Sequence, residues 1–254
     1  MQRYIRHFFG TVTFIAIWSV GLAQQNNRPK VVATTTFLAD MTRNIAGGEA
    51  EVISLMPVNE DPHTYEPVPG DARRIAEADL IIKNGLTLEG WLDEMINSSG
   101  TQADILVATN GIYPIQSADH VGATDPHAWM DVRNGLIYIT NIRDALIRLL
   151  PNKGADISQN HDRYQQKLLE LDAYIQSQIQ SIPPQQRIIA TTHDAFRYFG
   201  NRYGLKVESI LGTSTDSEAR IADYQRLVRQ IEVAGVPAVF IESTLDPKAL
   251  QQLA

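Results

Sequence analysis

KVVATTTFLADMTRNIAGGEAEVISL, residues 30–55, decides the fold class. A β-branched run at 30–35 gives way to Phe37, Met41 and Ile45, which recur every four residues as on one helix face. Gly47-Gly48 then stops the helix, and a second aliphatic run follows at 51–55. Strand, helix and strand in so short a span make a βαβ unit, and the alternation continues outward. Further aliphatic runs stand at 79–83 and 105–108. Between them a segment opening at Pro69 carries Ile75, Ala76 and Ala78, and another carries Trp91, Leu92, Met95 and Ile96. This pattern predicts an α/β lobe around a mostly parallel sheet.

The middle of the chain breaks the alternation. Two long helical patterns follow each other with no strand between them. Asp131 can cap the first, whose Leu136, Ile139, Ile142, Leu146 and Leu149 step by three or four up to Pro151. The second runs from Ile157 through Tyr164, Leu168, Leu171, Ile175 and Ile179 to Ile182, and Pro183-Pro184 ends it. At 1.5 Å per residue it would be about 39 Å long, enough to link two lobes as a stiff connector. Its pattern is too short for a sustained coiled coil. Alternation then resumes with runs at 187–191, 206–211 and 237–241, and with helices from Asp194 and over 217–234. The predicted architecture is two βαβ lobes joined by a long rigid linking helix: 24–154, 155–182 and 183–254. A last helix opens near Asp246-Pro247-Lys248 and the text ends inside it, so the second lobe is expected to be incomplete.

At the other end, Arg3 and Arg6 precede an apolar run at 8–20 and the small-residue stretch Gly21-Leu22-Ala23. This predicts a signal peptide over 1–23 and export to the periplasm. The run is shorter than the ~20 apolar residues of a bilayer span, so no retained membrane anchor is expected. Cleavage after Ala23 leaves 231 of the 254 residues and moves the formal charge from −7 to −9, because two arginines and no acid are removed. Such a balance argues against a nucleic-acid partner. The chain contains no cysteine, so any metal site must use nitrogen and oxygen donors, and no disulfide helps the core.

The chemistry concentrates in a repeated tripeptide, Asp61-Pro62-His63 and Asp125-Pro126-His127. Proline fixes its own φ and holds the preceding residue extended, so each imidazole is presented from a stiffened loop, as a metal ligand requires. Either copy alone is an ordinary loop histidine on a common turn; the repetition is what points to metal. His193 stands where the run at 187–191 meets the next helix, and open α/β sheets bind their ligands beyond the carboxyl ends of strands. Three neutral imidazoles on such a cleft suit zinc, copper and nickel, and manganese or iron less strongly. Asp61 and Asp125 are read as shaping their turns. Glu242, ending the last run, is read as an acceptor for an imidazole N–H or an ion-pair partner in preference to a ligand. His120 in a polar loop and His161 in the connector are read as surface residues, and His7 leaves with the signal.

Several blocks, in order, resemble the metal-specific periplasmic binding proteins of bacterial ABC transporters for zinc and manganese, a group that includes streptococcal adhesins. They are VVATTTFLADMTRNIAGG, MPVNEDPHTYEPVPGDARRIAEADLIIKNG, DPHAWMD, TTHDAFRYFGNRYGL and FIESTLDP. The resemblance implies two pseudo-symmetric lobes, a rigid linking helix and a buried ion handed to a membrane permease. It places the first two ligand histidines on His63 and His127 and the third ligand on His193. Manganese members often carry Glu at that third place, so the resemblance implies Zn2+, with Mn2+ or iron as the alternative. Two features depart from the zinc pattern. The segment 111–124 is short with only His120, where zinc importers often carry a long His-rich loop, and no fourth ligand, usually an Asp, is found. A monomeric binding protein and no enzyme is expected: the chain has no HExxH helix, GxSxG turn or phosphate-cradling glycine loop, and Glu242 is the one candidate general base of a zinc hydrolase. An adhesin role would need a surface anchor, and no cysteine is available to carry a lipid.

Overall fold

The computed structural model describes residues 28–117, 122–216, 221–234 and 240. The expected signal peptide, His120, Glu242 and the stretch at 246–254 lie outside the described residues. The elements run β1 (Lys30–Ala33), α1 (Thr36–Ala46), β2 (Glu51–Ser54), α2 (Pro69–Ala76), β3 (Leu80–Lys83), α3 (Leu92–Ser99) and β4 (Asp104–Val107). After them come α4 (Val132–Leu149), α5 (Gly154–Ser181), β5 (Ile188–Thr191), α6 (Arg197–Tyr203), β6 (Lys206–Ser209) and α7 (Ile221–Ala234).

The first four strands form one parallel sheet in the order β2-β1-β3-β4. Because side chains alternate across a strand, β1 sends Val31 and Ala33 to one face and Val32 to the other, and β3 divides Leu80 and Ile82 from Ile81 in the same way. The first face packs on Leu38, Ile45, Tyr138, Ile142, Leu146 and Ile157 of α1, α4 and α5. The second face packs on Ile75 of α2 and on Leu92 and Ile96 of α3. Helices thus cover both faces, as a parallel sheet demands. The helix stop read at Gly47-Gly48 is present: Gly47 adopts φ 60° and donates its N–H to Arg43 O. A Cβ at Gly47 would run into the side-chain amide of Asn160 on α5, so packing and backbone both require glycine there.

Asp131 caps α4 by accepting from the Arg133 N–H at 2.8 Å. The connector α5 has 28 residues and begins three positions before Ile157, at Gly154. Its N-terminal half lies on α1 and α4 and buries Ile157 and His161, while Leu171 and Tyr174 further along face solvent. His161 therefore departs from its reading as a surface residue. It is 2% exposed because α4 lies over it, with Thr140 Oγ1 3.4 Å from its Nε2 and Asp162 Oδ1 2.9 Å from its Nδ1.

The second lobe pairs β5 with β6 in parallel, and Phe240 bridges in parallel to Thr191 by donating its N–H to Ala190 O. Of the run expected at 237–241 only Phe240 is described. α6 starts at Arg197 and not at Asp194; in the intervening stretch Ala195 N–H closes a tight turn onto His193 O and Asp194 N–H donates to Gly212 O. Among the described residues no helix is long and apolar enough to cross a membrane.

Candidate metal centre

Both Asp-Pro-His tripeptides fold into the same local turn. Asp61 Oδ1 accepts the backbone N–H of His63 at 2.9 Å, and Asp125 Oδ1 accepts that of His127 at 2.9 Å. This side-chain-to-backbone closure, with a proline between that needs no partner for a missing N–H, fixes each histidine backbone by contacts within its own tripeptide. The aspartates shape their turns, as their sequence context indicates.

The second turn is braced further. Asn84, at the carboxyl end of β3, donates from Nδ2 to Pro126 O at 3.0 Å, and Tyr138 donates to Asn84 Oδ1 at 2.5 Å. Tyr198 of α6 donates to Asp125 O at 3.1 Å and accepts from Ile115 N–H at 3.0 Å. The second lobe thereby grips the loop that carries His127. Behind Asn84 lies the buried Glu89, whose carboxylate accepts from Thr34 Oγ1, Asn84 N–H and Gly85 N–H. Its pKa is raised by burial, which those three donors offset only in part.

The three histidines converge. His63 Nε2 lies 3.1 Å from His127 Nε2, and His193 Nε2 lies 3.3 Å from the same atom. One nitrogen from each of the three falls within 4.8 Å of the others. With metal–nitrogen bonds of about 2.0–2.1 Å, tetrahedral directions place two donor nitrogens about 3.3–3.4 Å apart, a spacing that the two pairs through His127 match. His127 is 2% exposed, His193 7%, and His63 partly exposed at the mouth. His63, Tyr65, Trp91, Thr213, Ser214 and Asp216 line a cavity of about 430 Å³ there.

Protonation favours the same chemistry. Burial, then the neighbouring His127 and His193, push the pKa of His63 down to about 4, and burial lowers that of His127 although Asp125 opposes it. Both rings are therefore neutral at ordinary pH. His127 Nδ1 lies 2.8 Å from Asp125 Oδ1. A carboxylate there holds the proton on Nδ1 and leaves the Nε2 lone pair facing the other two rings. Sequence reasoning gave Asp125 only the turn; this ring contact is its second task. Tyr198 and Asn84 carry no local signal for their part, since their partners lie 73 and 42 positions away.

A family model described as zinc-uptake complex component A, periplasmic, matches residues 31–254. The chain is 36% identical over 233 residues to the zinc-binding protein TroA of Treponema pallidum, covering 91% of this chain and 75% of that protein. It is 34% identical over 227 residues to the manganese-binding lipoprotein MntA of Halalkalibacterium halodurans, covering 89% and 75%. Among solved structures, the periplasmic zinc binding protein TroA from Treponema pallidum superposes with a TM-score of 0.84 at 36% identity, over 89% of this chain and 82% of that one. The Mn-bound periplasmic metal binding protein from Candidatus Liberibacter asiaticus gives 0.80 at 27% identity, over 89% and 84%. The two-lobed α/β fold and the ordered sequence blocks agree with these matches, and the chain belongs to the periplasmic zinc-uptake complex component A family.

Proposed function

We propose that this protein captures one divalent transition-metal ion with His63, His127 and His193 and delivers it to the membrane permease of an ABC transporter. The carrying observation is the convergence of three imidazole nitrogens, two of them 3.1 and 3.3 Å from the third. Zinc is the preferred cargo, because three imidazoles and no thiol form a borderline donor set that holds zinc more firmly than manganese. Manganese is the second reading, favoured by the manganese-binding relatives in the same family. The protein acts outside the cytoplasm as a monomer, built as lobes 24–154 and 183–254 about the helix at 155–182, and catalyses no reaction. The named relatives are binding proteins. Titration of metal-free protein with zinc and manganese tests the proposal. One tight site per chain is expected, with affinity lost by at least a hundredfold in each of His63→Ala, His127→Ala and His193→Ala. Full affinity in the triple variant would refute it.

A further inference from the structure

The two Asp-Pro-His turns look equivalent in sequence, yet their carboxylates are spent differently. Asp125 turns one oxygen on both the backbone and the ring of His127. Asp61 keeps only the backbone bond to His63, and its other oxygen accepts from Thr215 Oγ1 at 2.5 Å. Thr215 belongs to the second lobe, 154 positions away, on the loop that follows β6.

That loop is also tied to His193. Leu211 N–H donates to Thr192 O and Asp194 N–H donates to Gly212 O, so the residues on both sides of His193 are bonded to the loop's first residues. The loop crosses the cleft at a second point, where Thr213 Oγ1 lies 2.8 Å from Ser117 Oγ. The same loop therefore holds the register of one histidine and reaches over to the turn of another. Thr213, Ser214 and Asp216 of this loop line the cavity at the mouth, together with His63.

We propose that the Thr215–Asp61 hydrogen bond is a release latch: it clamps the outermost histidine turn to the second lobe and sets how fast the bound ion leaves. His63 is the proposed ligand with the most solvent access and lines the mouth, so its turn must give way for an ion to leave there. A turn pinned on the opposite lobe resists that step. The bond touches no ring nitrogen, so Thr215 is a positioning residue that acts through Asp61. Its effect falls on the dissociation rate more than on the capture rate, because capture is governed by encounter and dissociation by what must break.

The latch rests on the proposed metal-capture function, and the experiment separates the two. Zinc-loaded wild type, Thr215→Val and Thr215→Ser are each mixed with excess chelator, and release is followed by stopped flow, with thermal melts of the metal-free forms alongside. Valine keeps the shape and removes the donor; serine restores it. The expected result is release about tenfold faster in Thr215→Val, release near wild type in Thr215→Ser, and metal-free melting temperatures alike in all three. Equal release from a folded Thr215→Val overturns the latch while leaving metal capture intact. Equally fast release from both variants also overturns it, since the hydroxyl would then not be the cause. Failure of the wild type to bind zinc or manganese removes both readings.

Discussion

Asp172, on the solvent-facing half of the connector, is the residue whose loss should most damage the alignment of the lobes. It is only 4% exposed and accepts hydrogen bonds from three directions. Arg202 of α6 donates from Nε at 3.1 Å and from Nη2 at 3.0 and 2.7 Å, Tyr203 of α6 donates at 3.0 Å, and Arg133 of α4 donates from Nε at 2.9 Å. One carboxylate therefore joins α4, α5 and α6, and α6 carries the Tyr198 that holds the His127 loop. In Asp172→Asn the two guanidinium groups lose the charge between them, and a new N–H is pointed at donors. Hydrogen bonds to charged groups contribute about 1.5–3 kcal/mol each. Arg133 is 54% exposed on its side chain, so water screens its share and the Arg202 and Tyr203 bonds dominate. The net cost is about 2–3 kcal/mol, which for a chain of this size lowers the melting temperature by about 5–10 °C. Burial alone would raise the pKa of Asp172, but the bonds from Arg202, Tyr203 and Arg133 outweigh it and hold the group below its ordinary value. A depressed carboxylate contributes stability that is complete above the ordinary carboxylate range, about pH 4, and is lost as pH falls through the lowered native value. Asp172→Asn should accordingly flatten the acid limb of the stability curve as well as lower its plateau. Calorimetry of metal-free wild type and variant across pH 2–7 measures both. A melting temperature within 2 °C of wild type at pH 7, with the acid limb unchanged, would refute the reasoning.

Asp125→Asn should weaken zinc binding about tenfold and Asp125→Ala about a hundredfold, the range expected for an acceptor behind a ligating imidazole, as measured by competition against a chelator of known affinity. Because the pKa of His63 is pushed down to about 4 and that of His127 is also lowered, protons compete poorly for these rings. In the metal-free protein the ring resonance of His63 should thus hold its neutral position from pH 7.5 down to 6, where an ordinary imidazole near pH 6.5 would already titrate, and shift only as pH drops further; a titration of His63 across pH 7.5–6 would contradict that order. Gly47→Ala should destabilise by about 1–2 kcal/mol for the left-handed backbone alone, with more from the clash against Asn160, read as a lower urea midpoint at unchanged slope.

The strands were legible because strands of a parallel sheet read as aliphatic runs, and each observed strand falls within a residue of its predicted run apart from ends trimmed by up to two residues, as at Lys206–Ser209. His63 and His127 were legible because the residues that aim them are neighbours in sequence: an aspartate two positions back and a proline between. His193 could be placed from the rule that ligands gather at strand ends. What stayed hidden depends on distant partners. Asp172 reads as one more polar residue of an amphipathic helix, since Arg133 and Arg202 stand 39 and 30 positions away. His161 looks solvent-facing until α4 is laid over it, and the Thr215–Asp61 bond has no local signature at all. The start of α6 is a further case: Asp194 has a helix-capping side chain, but the stretch before Arg197 is turned back by Ala195 N–H onto His193 O and tied to the distant Gly212, a partner with no local signal.

The most direct test of the central claim is X-ray absorption at the zinc edge of the metal-loaded protein. Three imidazoles converging on one ion predict nitrogen or oxygen neighbours at about 2.0–2.1 Å and outer-shell scattering from three rings, falling to two in His193→Ala. A spectrum with one imidazole or none, or one unchanged by that substitution, would contradict a site made of His63, His127 and His193.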